Sequence, residues 1–370
     1  MDFFITDYRI SGADAVALED SIMQQDKLVT AGSKMLRNYT SLISATVVTR
    51  LLDGEYKIAG KTKMDEFGID NILSDSPDIL SAAVKVVADD VAAYSLCNDV
   101  FGKYRRQAAQ NGCCYIRPTY GTVSRYGLIP LVSSMDQIGI VCKNLHDGLL
   151  LLKYIAGNDI NDGAMFPEKK YNYDKINSKI TVGVPDAVVS RADKDTQGAI
   201  KSFAEKFNSV SINLEHFDIY KQVMYILSSA EISNNINRYD GIKFGYRASG
   251  YRGIDGLYTK SRTEGFGLNT KLTAIIGTIV LSQDYYTSYY EQAMKIRRLV
   301  KESLRFSDYD IIALPCAISG SKYDNLSLYA LAALAGLPSI SFPYKGQGIQ
   351  LVANVKNESI FKAVWEACMS

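Results

Sequence analysis

The sequence has no excess of charge of either sign and no long apolar run. Its 41 lysine and arginine residues balance 40 aspartate and glutamate residues, which leaves a net charge of +1 with both histidines neutral. This balance argues against a polybasic surface for nucleic acid or for membranes. The sequence lacks the roughly eighteen consecutive apolar residues of a membrane span, and its first residues, MDFFITDYRI, do not resemble a signal peptide. We therefore expect a cytoplasmic protein without a direct nucleic-acid surface and without contact to a membrane.

Cysteine and histidine are both scarce. The cysteines show none of the C-x-x-C pairs that are typical of zinc sites. They are Cys97, Cys113, Cys114, Cys142, Cys316 and Cys368. Six cysteines in 370 residues are too few for a disulfide scaffold, so we expect reduced thiols and neither a metal nor another cofactor.

Two of these cysteines, Cys113 and Cys114, are adjacent and could in principle act as a thiol nucleophile. A cysteine nucleophile needs a neighbouring base, and the sequence contains only two histidines. Neither His146 nor His216 lies in a motif that would place it beside these thiols. We therefore predict that Cys113 and Cys114 are small buried apolar residues.

Patterns typical of helix and strand alternate along the whole chain, and 47% of the residues are hydrophobic. A helix followed by a strand is predicted over residues 44–60 and again over 78–96. A long tyrosine-rich helix over 285–304 precedes a buried strand over 309–315. Alternation of this kind favours an α/β fold. Residues 158–175 are polar and rich in turn-forming residues, so we expect a surface insertion there.

Residues 117–130, RPTYGTVSRYGLIP, combine two prolines, two glycines and several hydroxyl groups. Proline restricts the backbone and glycine permits conformations that other residues avoid, so this composition predicts a loop with one defined shape. Loops of this kind often carry function.

This loop belongs to a set of segments that occur together, in the same order, in one protein family. The segments lie at 60–68, 117–139, 238–247, 260–267 and 334–343. They resemble the amidase-signature family, and within it the A subunits of the glutamyl-tRNA(Gln) amidotransferases. The similarity extends from about Ala15 to Tyr344, so it covers most of the chain.

The resemblance implies both a fold and a chemistry. Members of the family form one α/β domain around a large mixed sheet with helices on both faces, which we expect over residues 1–370. Their lysine acts through a cis-serine to activate a second serine, and backbone N–H groups of a glycine-rich loop stabilise the tetrahedral anion. The A subunit releases ammonia from glutamine for its partners, so the resemblance implies the B and C subunits of an amidotransferase as partners.

The residues at the family's catalytic positions differ from that pattern. The family's P-I-A-x-K-D-N-I block aligns without gaps with AVALEDSI, which places Glu19 at the lysine position and keeps Asp20 beside it. The serine-rich block aligns with PDILSAAVKVVAD and places Ala83 at the cis-serine position. A gapped alignment would instead bring Ser81 towards that position.

The nucleophile segment of the family aligns with NDVFGKYRRQ. This alignment places Lys103 at the nucleophile and Phe101 at a glycine of the oxyanion loop. Asp99, Gly102 and Arg105 match the family, and we expect them to be structural, with an internal salt bridge between Asp99 and Arg105.

Three substitutions at these positions predict the loss of hydrolysis. Alanine cannot relay a proton, lysine cannot replace an acylated serine, and glutamate carries the charge opposite to that of lysine. Because the family's groups converge, one hypothesis is that Glu19 and Lys103 form an ion pair with Ala83 beside them. The alternative is that both side chains turn to the surface.

Fewer groups match elsewhere in the family's pocket. Tyr239 and Arg297 match substrate-binding positions of the family, although Arg297 could equally be exposed or paired structurally. Only about fourteen residues precede Ala15, so we expect the domain to be truncated at its N-terminus relative to the family.

The sequence thus predicts a pseudo-amidase that acts as a binding or scaffold subunit. The alternative is an active amidase or amidotransferase subunit that uses other residues.

Overall fold

A computed structural model describes residues 3–70, 79–174 and 179–369 of the chain. Residue 78 of the predicted 78–96 unit and residue 175 of the predicted insertion lie outside this part. The strands are β1 (Phe4–Asp7), β2 (Ala15–Glu19), β3 (Lys57–Thr62), β4 (Tyr94–Asn98), β5 (Cys114–Arg117), β6 (Ile138–Cys142), β7 (Thr181–Val184), β8 (Asn208–Ser211), β9 (Ile311–Pro315), β10 (Ser339–Tyr344) and β11 (Gln347–Ala353).

The strands form one mixed sheet of eleven strands in the order β1-β3-β2-β4-β6-β5-β10-β11-β9-β7-β8. Strands β3, β2 and β4 pair in parallel near one edge, and β9, β7 and β8 pair in parallel at the other. The pairs between β4 and β9 are antiparallel. The prediction of an α/β fold with a large mixed sheet is confirmed.

Helices cover both faces of this sheet. They are α1 (Thr46–Asp53), α2 (Ala82–Ala88), α3 (Lys103–Gln110), α4 (Leu145–Ile155), α5 (Asp186–Val189), α6 (Lys194–Ala204), α7 (Tyr220–Asn235), α8 (Gly253–Gly265), α9 (Leu268–Val280), α10 (Gln292–Ser303), α11 (Lys322–Ala335) and α12 (Ser359–Met369). The predicted tyrosine-rich helix corresponds to α10 together with a preceding π-helical turn at Tyr286–Glu291.

The side chains of strand β2 alternate between the two faces of the sheet. Val16 and Leu18 pack into a core with residues of α1, α4, α6 and α12. Ala15 and Ala17 pack on the other face, against α2 and α3. Successive side chains of a strand point to opposite faces, so Glu19 shares the face of Ala15 and Ala17. The last residue of β2 therefore points towards α2 and α3.

The loop over residues 117–130 has a defined shape, as predicted. The Arg117 guanidinium is buried and donates to the backbone oxygens of Asp99 and Met135, at 2.9 and 2.7 Å. Arg125 forms an ion pair with Asp162 at 2.6 Å, and Ser124 Oγ donates to Asp159 at 2.6 Å. The loop thus holds the nucleophile segment on one side and the polar segment after α4 on the other.

Candidate active site and its substitutions

The segment that aligns with the family's nucleophile segment forms a tight turn into α3. Asp99 Oδ1 accepts the N–H of Gly102 at 2.9 Å, and Asp99 Oδ2 accepts Nε of the buried Arg105 at 2.9 Å. The predicted salt bridge between Asp99 and Arg105 is confirmed. Gly102 has φ +89°, and a Cβ at this position would lie 2.0 Å from Cγ of Tyr329. The turn therefore requires glycine.

Glu19 is fully buried at the end of β2. Its carboxylate accepts hydrogen bonds from the hydroxyl of Tyr104, from Ser21 Oγ at 2.9 Å and from the N–H of Asn98 at 2.8 Å. Burial raises the pKa of Glu19 to about 7, although these three hydrogen bonds act in the opposite direction. A carboxyl with three neutral donors thus occupies the position that the sequence alignment predicts for the family's lysine.

Lys103 and Glu19 do not pair with each other. The ammonium group of Lys103 lies 2.5 Å from the carboxylate of Asp65, and its side chain is 14% exposed. The hydrogen bonds of Glu19 come from Tyr104, Ser21 and Asn98 instead. The predicted ion pair is therefore wrong, and so is the alternative in which Glu19 turns to the surface. The reason is that Tyr104, rather than Lys103, directs its side chain at Glu19 from the start of α3.

Ala83 lies in the first turn of α2, and its side chain is fully buried. It belongs to the same apolar cluster as Ala17, Cys97 and Tyr104. Ser81 caps this helix, since its Oγ accepts the N–H of Val84 at 3.4 Å. The assignment of Ala83 to the cis-serine position remains a prediction.

A cavity of 550 Å³ lies beside the first turns of α2 and α3. It is lined by Phe3, Lys63, Met64, Asp65, Ile79, Leu80, Ser81, Ala82, Lys85, Lys103 and Tyr104. The cavity thus lies between the segments that align with the family's two serine segments. Lys103, which the alignment predicts at the nucleophile position, is part of its lining.

Lys61 is a buried charge that was not predicted from the sequence. Its side chain is fully buried, its ammonium group donates to the backbone oxygen of Ile22, and its Nζ lies 3.9 Å from Asp20 Oδ1. Burial lowers the pKa of Lys61 to about 8. The only signal in the sequence was its position inside the matched segment at 60–68.

The two proposed substrate-binding residues are held by protein groups and do not line the cavity. The Tyr239 ring stacks on Phe67 with 5.0 Å between the ring centroids. The Arg297 guanidinium donates to the backbone oxygen of Leu334 at 2.8 Å, and to Oγ and the backbone oxygen of Ser134 at 2.8 and 2.9 Å. These contacts favour the structural interpretation of Arg297.

Cys113 and Cys114 are buried, as the sequence predicts. Burial raises the pKa of Cys113 to about 11 and shifts the pKa of Cys114 in the same direction. Both thiols are therefore protonated at neutral pH, which removes the nucleophilic form. His216 is exposed, and His146 is half-buried at the start of α4.

Neither a metal centre nor a membrane span is found in the part of the chain that the structure describes. This part contains no group of three or more histidine, cysteine, aspartate or glutamate side chains that could hold a metal ion. None of its helices combines the length and the apolar character needed to cross a membrane.

The mixed eleven-stranded sheet with helices on both faces is the fold of the amidases. The chain belongs to the amidase family, whose family model matches residues 81–359. It is 33% identical to the A subunit of glutamyl-tRNA(Gln) amidotransferase of Listeria monocytogenes serotype 4b (strain F2365), over 95% of this chain and 82% of that protein.

Solved structures agree with this assignment at the level of the fold. The A subunit of glutamyl-tRNA(Gln) amidotransferase from Thermotoga maritima matches with a TM-score of 0.76 and 24% identity, over 98% of this chain and 86% of that one. 6-Aminohexanoate cyclic dimer hydrolase matches with a TM-score of 0.78 and 16% identity, over 96% and 83% of the two chains.

Proposed function

We propose that this chain is a catalytically inactive amidase that acts by binding, as a ligand-binding or scaffold subunit. The observation that carries the proposal is the contact between Glu19 and Tyr104. Amide hydrolysis in this fold needs a base and an activated nucleophile. Glu19 stands at the position of the base, and it is buried behind the Tyr104 hydroxyl.

The other groups near the cavity support the same conclusion. Lys103 is paired with Asp65. Ser81 is occupied as the cap of α2, and it receives no hydrogen bond from a lysine among the described residues. Phe101 is buried in the segment that supplies the oxyanion N–H groups in the family. Hydrolysis requires a nucleophile in contact with a base. These residues do not provide that arrangement.

A direct assay of ammonia release tests this proposal. Purified protein is incubated with glutamine and with asparagine, and ammonia is measured by a coupled enzyme. We expect no release above a buffer control. Turnover that persists through repurification and disappears in Ser81→Ala, or in the double variant Cys113→Ala, Cys114→Ala, would establish an active enzyme and identify its nucleophile.

The kind of partner is inferred from the relatives, which are named as one subunit of an amidotransferase. We propose that this chain binds the B and C subunits of such an enzyme. Its surface offers an apolar stripe on α9 at helical spacing. The stripe consists of Leu268, Leu272, Ile275 and Ile279, with exposed fractions of 71, 42, 57 and 49%. Exposed apolar patches of this kind are typical of surfaces that contact another protein.

Co-expression with the B and C subunits of the same organism tests this partnership. We expect a complex in size-exclusion chromatography that is weakened by the double variant Leu272→Glu, Ile275→Glu. Leu52→Glu, at a residue of α1 that is 51% exposed, is the matched control and should leave the complex intact. The absence of any complex with the unaltered chain would reject the proposal.

A further inference from the structure

We infer that one surface of this protein binds single-stranded nucleic acid. The surface is formed by the short helical turn Lys34–Leu36 with the following Arg37, by the loop over residues 239–252, and by α8 around Lys260. We call it the cation–aromatic surface. The inference goes beyond the proposed function and does not depend on the loss of hydrolysis.

The segments of the cation–aromatic surface are in direct contact. The N–H of Tyr246 donates to the backbone oxygen of Met35 at 2.8 Å, and Lys260 Nζ donates to the backbone oxygen of Ser249 at 2.7 Å. Gly245 has φ +83°, and a Cβ at this position would lie 2.3 Å from the backbone oxygen of Met35. Only glycine allows the loop to approach the turn so closely, so the surface has a defined shape.

The distribution of charge is the first argument. Residues 30–39 and 238–264 contain eight cations, Lys34, Arg37, Arg238, Lys243, Arg247, Arg252, Lys260 and Arg262, and three carboxylates, Asp240, Asp255 and Glu264. Glu66 adds a fourth carboxylate, because it accepts a hydrogen bond from Ser33 at 2.7 Å. The local excess is four positive charges, although the net charge of the chain is only +1. The balanced composition, which predicts no nucleic-acid surface, thus conceals a local basic region.

Most of these cations have no acidic partner. Among the described residues, Lys260 is the one member of the set that forms an ion pair, with Glu264 at 4.0 Å. Lys243 and Arg252 are exposed, and within the described part of the chain their side chains form neither an ion pair nor a hydrogen bond. Their charges are therefore available to the phosphate groups of a ligand.

Aromatic rings alternate with the cations, which is the second argument. The Lys34 ammonium and the Arg37 guanidinium lie 4.1 and 5.2 Å from the centroid of the Tyr246 ring. The Arg247 guanidinium lies 5.3 Å from the centroid of the Tyr251 ring. An aromatic ring orients a cation without neutralising its charge. These three cations are thus fixed in place and still attract an anion.

Phe244 offers an exposed ring on the same surface. Its side chain is 40% exposed, and its centroid lies 5.9 Å from that of Tyr39 and 6.2 Å from that of Tyr239. Single strands bind to basic surfaces on which aromatic rings stack with their bases. The bases of a duplex are already stacked on each other, and an acidic peptide has none. The combination of free cations and an exposed ring therefore favours a single strand.

Fluorescence polarisation with a labelled oligo(U) strand tests the inference. The unlabelled competitors are oligo(dT), oligoglutamate and inorganic polyphosphate of equal charge, and oligo(dT) shows whether DNA is bound as well as RNA. We expect a Kd of about 1 to 100 µM for oligo(U) at physiological salt. Oligoglutamate and polyphosphate should compete at least about tenfold more weakly, because neither has a base that stacks on a ring.

The double variant Lys243→Gln, Arg252→Gln removes two unpaired cations from the surface. Oligo(U) should bind about tenfold more weakly, and the slope of log K against log salt concentration should decrease in magnitude by about 1.4, or about 0.7 for each lost phosphate contact. The matched control is Lys194→Gln, Lys201→Gln, at two exposed residues of α6. It changes the net charge equally on the opposite face of the sheet, and it should leave affinity and slope unchanged.

Phe244→Leu tests the contribution of stacking. It should weaken oligo(U) binding at least about fivefold and leave competition by polyphosphate unchanged. Thermal melting without ligand is measured for each variant, so that a loss of folding is separated from a loss of binding.

Each outcome bears on the inference. No binding of either strand, equal competition by all polyanions, or unchanged affinity and slope in Lys243→Gln, Arg252→Gln would overturn it. Tighter binding of oligoglutamate than of oligo(U) would also overturn it and would identify a contact for an acidic protein segment. The ammonia assay measures the loss of hydrolysis separately.

Discussion

The hydroxyl of Tyr104 donates a hydrogen bond to the fully buried carboxylate of Glu19. The two residues come from different elements, the first turn of α3 and the end of β2. Their contact gives a buried carboxyl a neutral donor at the position that the alignment predicts for the family's lysine. We expect the stability of this region to depend on it.

The first prediction concerns Glu19 and pH. Burial raises the pKa of this carboxyl from 4.5 to about 7, so between these values the folded state binds more protons than the unfolded state. The bound proton therefore contributes to the free energy of unfolding. This contribution is fully present below pH 4.5 and is lost as the pH rises through about 7. Relative to Glu19→Gln, the unaltered protein should lose about 2 to 3 kcal/mol of unfolding free energy between about pH 5 and pH 8.

Urea unfolding at several pH values measures this difference. Glu205→Gln, at an exposed residue that follows α6, is the matched control and should not change the pH dependence. Parallel stability curves for Glu19→Gln and the unaltered protein would show that Glu19 titrates normally in the folded state.

The second prediction concerns Tyr104. Tyr104→Phe removes one of three donors to a buried carboxylate and should destabilise the fold by about 1 to 3 kcal/mol. The cost should be larger at about pH 8 than at about pH 5, because the ionised carboxylate depends more on its donors. In a double-mutant cycle with Glu19→Gln the two effects should be coupled, and strictly additive effects would contradict the contact.

The third prediction concerns the buried pair of Asp99 and Arg105. Their side chains are 2% and 0% exposed, so Arg105→Met leaves an unpaired buried carboxylate and should cost about 3 to 5 kcal/mol. Arg298→Met removes a pair on α10 in which both side chains are largely exposed, and no measurable change is expected. Similar melting temperatures for the two variants would argue against a structural role for Asp99 and Arg105.

The fourth prediction concerns Gly102. Gly102→Ala introduces both a left-handed backbone cost and a collision with the Tyr329 ring. Gly112→Ala is the matched control, since Gly112 has φ +73° and a Cβ added there would meet nothing within 4 Å. We expect the control to cost about 1 to 2 kcal/mol and Gly102→Ala to cost clearly more. Equal thermal stability of the two variants would show that the turn can shift away from Tyr329.

The sequence alone was sufficient to predict the family, the mixed α/β sheet and the salt bridge between Asp99 and Arg105. These features depend on segments whose order is visible along the chain, and on two residues that lie within one turn. The burial of Cys113 and Cys114 was also predicted, because neither histidine lies in a motif that would place it beside them and because cysteine usually behaves as a small buried apolar residue. Local patterns of this kind do not require knowledge of how the elements pack.

The partner of Glu19 was decided by the tertiary structure. Lys103 and Tyr104 are consecutive at the start of α3, and consecutive side chains of a helix point about 100° apart. The orientation of α3 on the sheet determines which of the two faces β2, and charge complementarity alone selected the wrong one. The packing buries the ring of Tyr104 and leaves Lys103 beside Asp65. Opposite charges were a weaker guide than the burial of an aromatic ring, because a buried ion pair must first overcome the desolvation of both charges.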